Sequence, residues 1–357
     1  MRLAFAILAS AVLIVVISVS HPRAFEAQGQ IYANGPLPQV PIPFDNPQTD
    51  AKINLGKQLY FEGRLSSDGT ISCASCHDPN RAWADTGHAV SEGVAHKKGG
   101  RNSPSVIDAA YIIPQFWDGR AMHLEKQAVG PVQNPIEMDL TKEEMEYRLN
   151  HIPGYIVQFQ DVFGSPPTLD LTAKAIASFE RTVIAADTPY DKYLDGDRNA
   201  LTPAAEHGLD IFQGKGHCNA CHSGPAFSDS RYHNLGVGYA DGEFKDVGRY
   251  AVTKDPKDTG AFLTQKLREV ELTSPYMHDG SEATLEDIIN FYNRGGNRNP
   301  YLDPVMVPLN LTNQEKVDLL TFMKSLTGPY PVVEPPPLPN PEITAQQLRQ
   351  DYQGGAK

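Results

Sequence analysis

The sequence predicts a mainly α fold in two parts, with few strands. Three observations carry that expectation. Apolar residues recur at helical spacing from about residue 50 onward, alternating strand patterns are scarce, and one pentapeptide occurs twice, 145 residues apart counted from Cys73 to Cys218. At 357 residues the chain is long enough for two domains of ordinary size.

The pentapeptide is Cys-x-x-Cys-His, as Cys73-Ala74-Ser75-Cys76-His77 and Cys218-Asn219-Ala220-Cys221-His222, and the two copies use all 4 cysteines. Two thiols three residues apart can each form a thioether to a haem vinyl group while the adjacent imidazole reaches the iron, which is c-type haem attachment. The other readings of a Cys-x-x-Cys are a redox dithiol, half of a zinc site or half of a disulfide pair. Zinc gives no role to the His after each pair. A thioredoxin-type dithiol lacks that His and follows a strand, which is not the local pattern. Coincidence hardly produces two copies that exhaust the cysteines. The two parts are therefore expected to be cytochrome-c-like haem domains, with two covalent haem c groups on Cys73, Cys76, Cys218 and Cys221 and with His77 and His222 on the irons.

Along the chain, Met1-Arg2 precedes an apolar run from Leu3 to Val19, and Ser18-Val19-Ser20 offers a small-x-small cleavage site before His21. Residues 1–20 read as a secretory signal, with an uncleaved anchor as the alternative, because the run is marginal for a membrane span of ~20 residues. Export agrees with haem attachment outside the cytoplasmic membrane. Residues 21–48, rich in Pro, Gly and Gln, read as an irregular arm. The net charge of −12 argues against a nucleic-acid partner and is compatible with a basic electron donor.

The first haem domain is placed at 49–167 and the second at 168–330, joined near Ser165-Pro166-Pro167. Asp50 opens a short helix with Ile53, Leu55 and Leu59. Thr141-Lys142-Glu143-Glu144 reads as a capping box. Leu171, Ile176, Phe179 and Val183 form an apolar stripe. Thr202-Pro203 caps a helix running towards Phe212. Thr284 precedes Leu285, Ile288, Ile289 and Tyr292, and Thr312-x-x-Glu315 opens a helix with Val317, Leu320 and Met323. Residues 331–357, Pro-rich from Pro335 to Pro341, read as a tail on the surface.

The sixth position of each iron separates an electron carrier from a catalyst. Met122 and Met138 are candidates at the first haem, Tyr276 and Met277 at the second. Spacing does not choose between them, and most methionines fill cores.

Several segments, in order, resemble the bacterial di-haem cytochrome c peroxidase family, and its MauG-like branch in particular. They are Ser72 to Pro79, Arg101-Asn102-Ser103-Pro104, Phe116-Trp117-Asp118-Gly119-Arg120, Gln127, Asn134-Pro135-Ile136-Glu137-Met138, the second Cys-x-x-Cys-His, Pro275-Tyr276-Met277-His278-Asp279-Gly280 and Pro308-Leu309-Asn310-Leu311-Thr312. The resemblance spans about residues 50 to 327. It implies that Trp117 sits between the haems and carries electrons or holes, and that Glu137 stands over the open side of the first haem with Gln127 nearby. It also implies that Tyr276 is the sixth ligand of the second haem, with Met277 as the alternative. Asn102, with backbone oxygens near Thr264, would hold a calcium ion.

Three departures follow from the same comparison. Where peroxidases of the family carry a blocking His, this chain has Val94, with His96 close by. The segment from Ile288 to Arg294 lacks the Met that ligates the second haem in other members. The usual Thr-Pro-x-Leu-Arg-Asn reads Thr264-Gln265-Lys266-Leu267-Arg268-Glu269, which weakens the calcium assignment. The first two point to the MauG-like branch.

The chemistry fits these residue types. A carboxyl in a mostly apolar pocket has a raised pKa and can move a proton between the two peroxide oxygens, the role read for Glu137; the plainer alternative is a surface Glu at a helix start. An indole between two haems can carry the second electron, although an aromatic in a Trp-Asp-Gly turn also serves packing. His88, His96, His123, His233 and His278 take no catalytic role in this reading. The expected function is a periplasmic peroxidase reducing hydrogen peroxide with electrons from a small c-type cytochrome or cupredoxin. The alternatives are a MauG-like enzyme that oxidises a protein partner through high-valent haem, and a pure electron carrier. Members of the family are often dimers, so a homodimer is open.

Overall fold

The computed structural model describes residues 35–355. The signal-peptide reading of 1–20, and the arm up to residue 34, lie outside the described residues. Among those described, no helix is long and apolar enough to cross a membrane.

Helices dominate. The first half contains α1 (Asp50–Tyr60), α2 (Cys73–Cys76), α3 (Leu124–Ala128), α4 (Gly130–Gln133), α5 (Lys142–Leu149), α6 (Pro153–Phe163) and α7 (Leu169–Glu180). The second contains α8 (Pro189–Leu194), α9 (Pro203–Gln213), α10 (Tyr250–Thr253), α11 (Leu285–Asn293) and α12 (Asn313–Lys324), and the chain closes with α13 (Ala345–Gly355). Strands are two short antiparallel pairs. β1 (Tyr232–Asn234) pairs with β4 (Ala261–Leu263), and β2 (Tyr239–Ala240) pairs with β3 (Glu243–Phe244).

Each Cys-x-x-Cys-His is approached by a helix that packs through a glycine onto a later helix. In α1, a Cβ at Gly56 would collide with the backbone of Ala175 in α7; in α9, a Cβ at Gly208 would collide with the backbone of Asp318 in α12. Glycine is needed at both places because the backbones approach closely. Around each crossing lies its own aromatic cluster. Tyr60, Trp83 and Phe179 meet with ring centroids 5.3–5.8 Å apart. Tyr190, Phe212, Phe227 and Phe322 do the same at 5.2–6.3 Å. Burying each such side chain stabilises the fold by roughly 1.5–3 kcal/mol.

Side-chain packing changes hands later than the Pro-Pro segment suggests. Leu169, Ala173, Ile176 and Phe179 of α7 belong to the first core, which runs to Ala185, while the second begins at Tyr190. The Ser165-Pro166-Pro167 segment only joins two helices of one core. A smaller cluster of Ile112, Ala226 and Leu263, with Tyr111 and Tyr232 against it, ties the halves together.

Two local expectations change. Thr141 accepts from the Glu144 amide, but the Glu144 carboxylate pairs with fully buried Arg148 at 2.6 Å, so it does not reach back to close the box. In α12 the buried face is Leu319, Phe322 and Met323, while Val317 is exposed, because Phe322 is the residue that joins the second aromatic cluster. The boxes at Thr284/Asp287 and Thr312/Glu315 form fully.

The tail does more than lie on the surface. Trp83 Nε1 donates to the Pro331 carbonyl at 2.7 Å, and Arg64 donates to the carbonyls of Pro339, Asn340 and Ile343. Leu348 of α13 enters the first core. Residues 331–355 thus strap the end of the chain back onto the first half.

Candidate functional site

Among the described residues, a cavity lies at each Cys-x-x-Cys-His. The first is lined by Cys73, Cys76 and His77 and by Gln127, Glu137 and Trp117, so the first-haem residues expected from the sequence come together. Gln127 is carried on α3. Glu137 follows α4 on a turn whose amide donates to Asn134 O, and its carbonyl accepts from the Val94 amide at 2.9 Å. Burial raises the Glu137 pKa, while Arg120 and a hydrogen bond from Asn134 act the other way. The net result is a carboxyl held towards its protonated form in a mostly apolar space.

Among the described residues, His77 is the only histidine on the first cavity's wall. Val94 is buried behind Glu137, and His96 stands out in solvent, its side chain 93 % exposed. Met122 is also exposed and off the cavity, whereas buried Met138 lines it.

The second cavity is lined by Cys218, Cys221 and His222, and both Tyr276 and Met277 reach it. The Tyr276 hydroxyl donates to Val270 O at 2.8 Å, and burial, then Glu271 and Glu286, push its pKa up. His233 lines this cavity between Asp229 and Asp303, at 3.0 and 2.6 Å. His278 stacks on Phe262 with centroids 3.6 Å apart.

The wall between the cavities is shared. Trp117 lines both, as do Asn102, Ser103, Pro104, Ser105, Leu263, Gln265 and Lys266. The Trp117 turn is anchored by the second half: Leu263 N–H donates to Trp117 O at 2.8 Å, and Arg249 donates to the carbonyls of Asp118 and Gly119. Arg101 bridges Asp118 and Asp246, each at 2.6 Å.

Two residues of the site were not singled out from the sequence. Lys266 is buried in the shared wall. Burial lowers its pKa to about 8, against the pull of the Asp108 carboxylate. Its only sequence signal was a charge in the run Phe262 to Leu267. Glu180, at the end of α7, lines the first cavity with one carboxyl oxygen buried and unpartnered, and burial raises its pKa to about 8. A Glu at a helix end reads as solvated, so nothing in the sequence marked it.

The donor chemistry fits two haems. Burial, then the Lys266 charge, lowers the His77 pKa to about 4, and burial lowers that of His222, so both imidazoles are neutral, as a metal ligand must be. His222 Nδ1 is oriented by Phe227 O at 3.0 Å, which leaves Nε2 for a metal. His77 Nδ1 is buried without a well-formed hydrogen bond, although the Pro104 and Trp83 carbonyls lie near enough to favour its proton. Burial pushes the Cys73, Cys76 and Cys218 thiols up, Cys76 to about 11 and Cys218 to about 12. That is the opposite of the low pKa of a redox dithiol. His77 and His222 would hold the irons, and the four cysteines the porphyrin edges.

Calcium fits less well. Asn102 uses its amide to donate to the His88 and Ala89 carbonyls, and Thr264 O accepts from Ser228 at 2.7 Å. Asn102 and Thr264 offer no carboxylate to a cation that takes six to eight oxygens, and the Lys266 ammonium lies two residues from Thr264. A calcium here would rely on the Asn102 Oδ1, backbone carbonyls and water for its oxygens.

A mainly helical chain with a Cys-x-x-Cys-His at each of two cavities is a di-haem c-type oxidoreductase. Comparison with known proteins makes this specific. Residues 50–199 match the family model described as di-haem cytochrome c peroxidase. The chain is 39 % identical to the cytochrome-c peroxidase IdrP1 of Pseudomonas sp. (strain SCT), over 85 % of this chain and 87 % of that one. It is 36 % identical to the methylamine utilization protein MauG of Methylorubrum extorquens, over 84 % and 85 %. A solved MauG-like protein associated with microbial copper homeostasis superposes with a TM-score of 0.76 at 34 % identity, covering 85 % of this chain and 96 % of the other. The chain belongs to the di-haem cytochrome c peroxidase family, which carries two c-type haems, and is a peroxidase-type oxidoreductase.

Proposed function

We propose that this protein reduces hydrogen peroxide to two waters in the periplasm, taking two protons and drawing two electrons from a small c-type cytochrome or cupredoxin. The observation that supports this most is the meeting of His77 and Glu137 in one cavity, with no other histidine on its wall among the described residues. Haem held at His77 would supply a redox iron. Glu137 takes the proton from one peroxide oxygen and returns it to the other, and Gln127 orients the peroxide by hydrogen bonding. Trp117, at the wall of both cavities, links the electron-receiving site to the peroxide site. Each cavity with its own core acts as one haem domain.

The test is steady-state peroxide consumption by the holoprotein with reduced cytochrome c or cupredoxin. Turnover that is lost in Glu137→Gln supports the reading. No turnover with either donor, while both haems are attached, overturns it.

A second reading is favoured by the second cavity. Tyr276 lines it and α11 carries no Met; a phenolate at that iron would suit holding an oxidising equivalent, whereas Met277 in the same wall would suit receiving electrons from a donor. A MauG-like oxidation of a protein partner would then be the use of the same site. Peroxide consumption that needs no donor cytochrome but yields an oxidised partner protein would favour it. Two low-spin ferric haems would instead indicate a pure carrier, with Met138 closing the first iron.

A further inference from the structure

We infer that Glu180 is a proton-loading site of the first haem cavity: when the haem there gains an electron, the Glu180 carboxylate takes up one proton from solvent. Glu180 is the last residue of α7, and it lines the first cavity but not the second. It is 5 % exposed, and its Oε2 is buried without a hydrogen-bond partner. The cation next to it is committed elsewhere. Arg181 donates to both carboxylate oxygens of Glu125, on α3, at 2.7 and 3.0 Å. A buried carboxyl whose charged form lacks a partner is held towards the acid. Burial accordingly raises the Glu180 pKa to about 8, against the pull of Arg181.

The groups around Glu180 do not supply the missing partner. From α1, the Tyr60 hydroxyl is turned to His77 O at 2.9 Å. From α2, Cys73 would be consumed by the porphyrin edge. From α3, Glu125 is itself an anion and adds to the pressure against charge. Elsewhere on the same wall, Arg101 pairs with Asp118 and Asp246, Arg120 pairs with Asp118, and Lys266 donates to Ser105 O at 2.6 Å. Glu92 and Arg120 on this wall are exposed, which gives a proton a way in from solvent. Reduction adds one negative charge at the haem, and a second anion in the same low-dielectric wall is then less tolerated. The Glu180 pKa is therefore higher in the reduced protein than in the oxidised one. Between those two values one electron from the donor and one proton from water enter together, leaving a reduced haem beside a neutral carboxyl. The first midpoint potential must then fall as pH rises through that window, by up to about 59 mV for each tenfold drop in proton concentration.

The inference rests on the first haem site and not on the substrate, so it is tested without peroxide, and a protein inactive towards peroxide would still give the answer. The measurement is spectroelectrochemical titration of both haems in the holoprotein from pH 6 to pH 9. The first midpoint of the unmodified protein should fall with rising pH, and Glu180→Gln should flatten that fall while the second midpoint behaves alike in both proteins. Glu137→Gln should keep the part of the slope that Glu180→Gln loses, which separates the two carboxyls of the cavity. Should Glu180→Gln fail to take up haem, reduced-minus-oxidised infrared spectra of Glu137→Gln protein decide instead. A protonated-carboxyl C=O band should then grow in at the first midpoint and shift when the glutamates are carbon-13 labelled. A first midpoint indifferent to pH, a slope that survives in Glu180→Gln, or the absence of that label-sensitive band would each overturn the inference.

Discussion

Trp117 donates its indole N–H to the backbone carbonyl of Asn102 at 2.9 Å, and both residues line both cavities. The bond fixes the ring in the wall, because the same Asn102 segment is itself held by its amide on His278 O at 2.8 Å. The ring is thus pinned between a first-half turn and a second-half loop.

Trp117→Phe removes that N–H and the wider π-system but keeps an aromatic in the space. Both haems should attach normally. Donor-dependent peroxide turnover should fall by about tenfold, equivalent to ~1.4 kcal/mol in the barrier. Stopped-flow reduction of the peroxide site by pre-reduced protein measures it, and an unchanged rate would remove Trp117 from the electron path.

Glu137→Gln keeps the size and the hydrogen bonding but cannot exchange a proton. Loss of a positioned acid–base group costs roughly 10²–10⁴ in rate. The fall should appear in peroxide cleavage by single-turnover kinetics, while absorption spectra still report two attached haems. Because burial raises the Glu137 pKa, its protonated form persists above the usual carboxylate range, and activity should change with pH there in the native protein only.

How much of this was legible in the sequence can be argued from particular residues. Cys73, Cys76, His77 and their second copies announced the chemistry because the motif is local. Glu137, Gln127 and Trp117 lie ten residues apart with no local motif joining them, and only a family pattern could group them. Periodicity found α12 but not its buried face, since which side of a helix is covered depends on partners such as Phe212 and Tyr190. Lys266 and Glu180 were invisible because each is a charged residue whose burial arises from tertiary packing alone. The strap of the tail was missed for the same reason: proline-rich composition states what a segment cannot form, not what it touches.

Glu125 sets an acid limit for the fold. Burial works against its charge, but hydrogen bonds from Arg181 and Asn46 outweigh it and bring the pKa down to about 2. The folded pKa lies below the unfolded one, so this stability is present above about pH 4.5 and is lost as pH falls towards 2. The contribution is roughly 3 kcal/mol. Denaturant unfolding measured between pH 6 and pH 3 should lose stability in native protein and much less in Glu125→Gln, which starts lower. Parallel curves for the two would show that the pair does not carry the acid sensitivity.

Removing residues 331–357 should destabilise the first half far more than a surface tail would. Arg64 keeps its ion pair with Glu62, but its other N–H groups lose the carbonyls of Pro339, Asn340 and Ile343. Trp83, fully buried, loses the acceptor of its indole N–H. A buried donor left without a partner costs about 1–3 kcal/mol where water cannot replace the partner. Leu348→Ala isolates the apolar part of the same effect and should cost roughly 2–5 kcal/mol without touching any hydrogen bond. Chemical denaturation of the holoprotein measures both. Since Trp83 packs on Tyr60, and the Tyr60 hydroxyl donates to His77 O at 2.9 Å, loosening the strap should also broaden the first-haem spectrum and leave the second unchanged. A truncated protein as stable as the full chain would mean that these bonds are replaced by water at no cost.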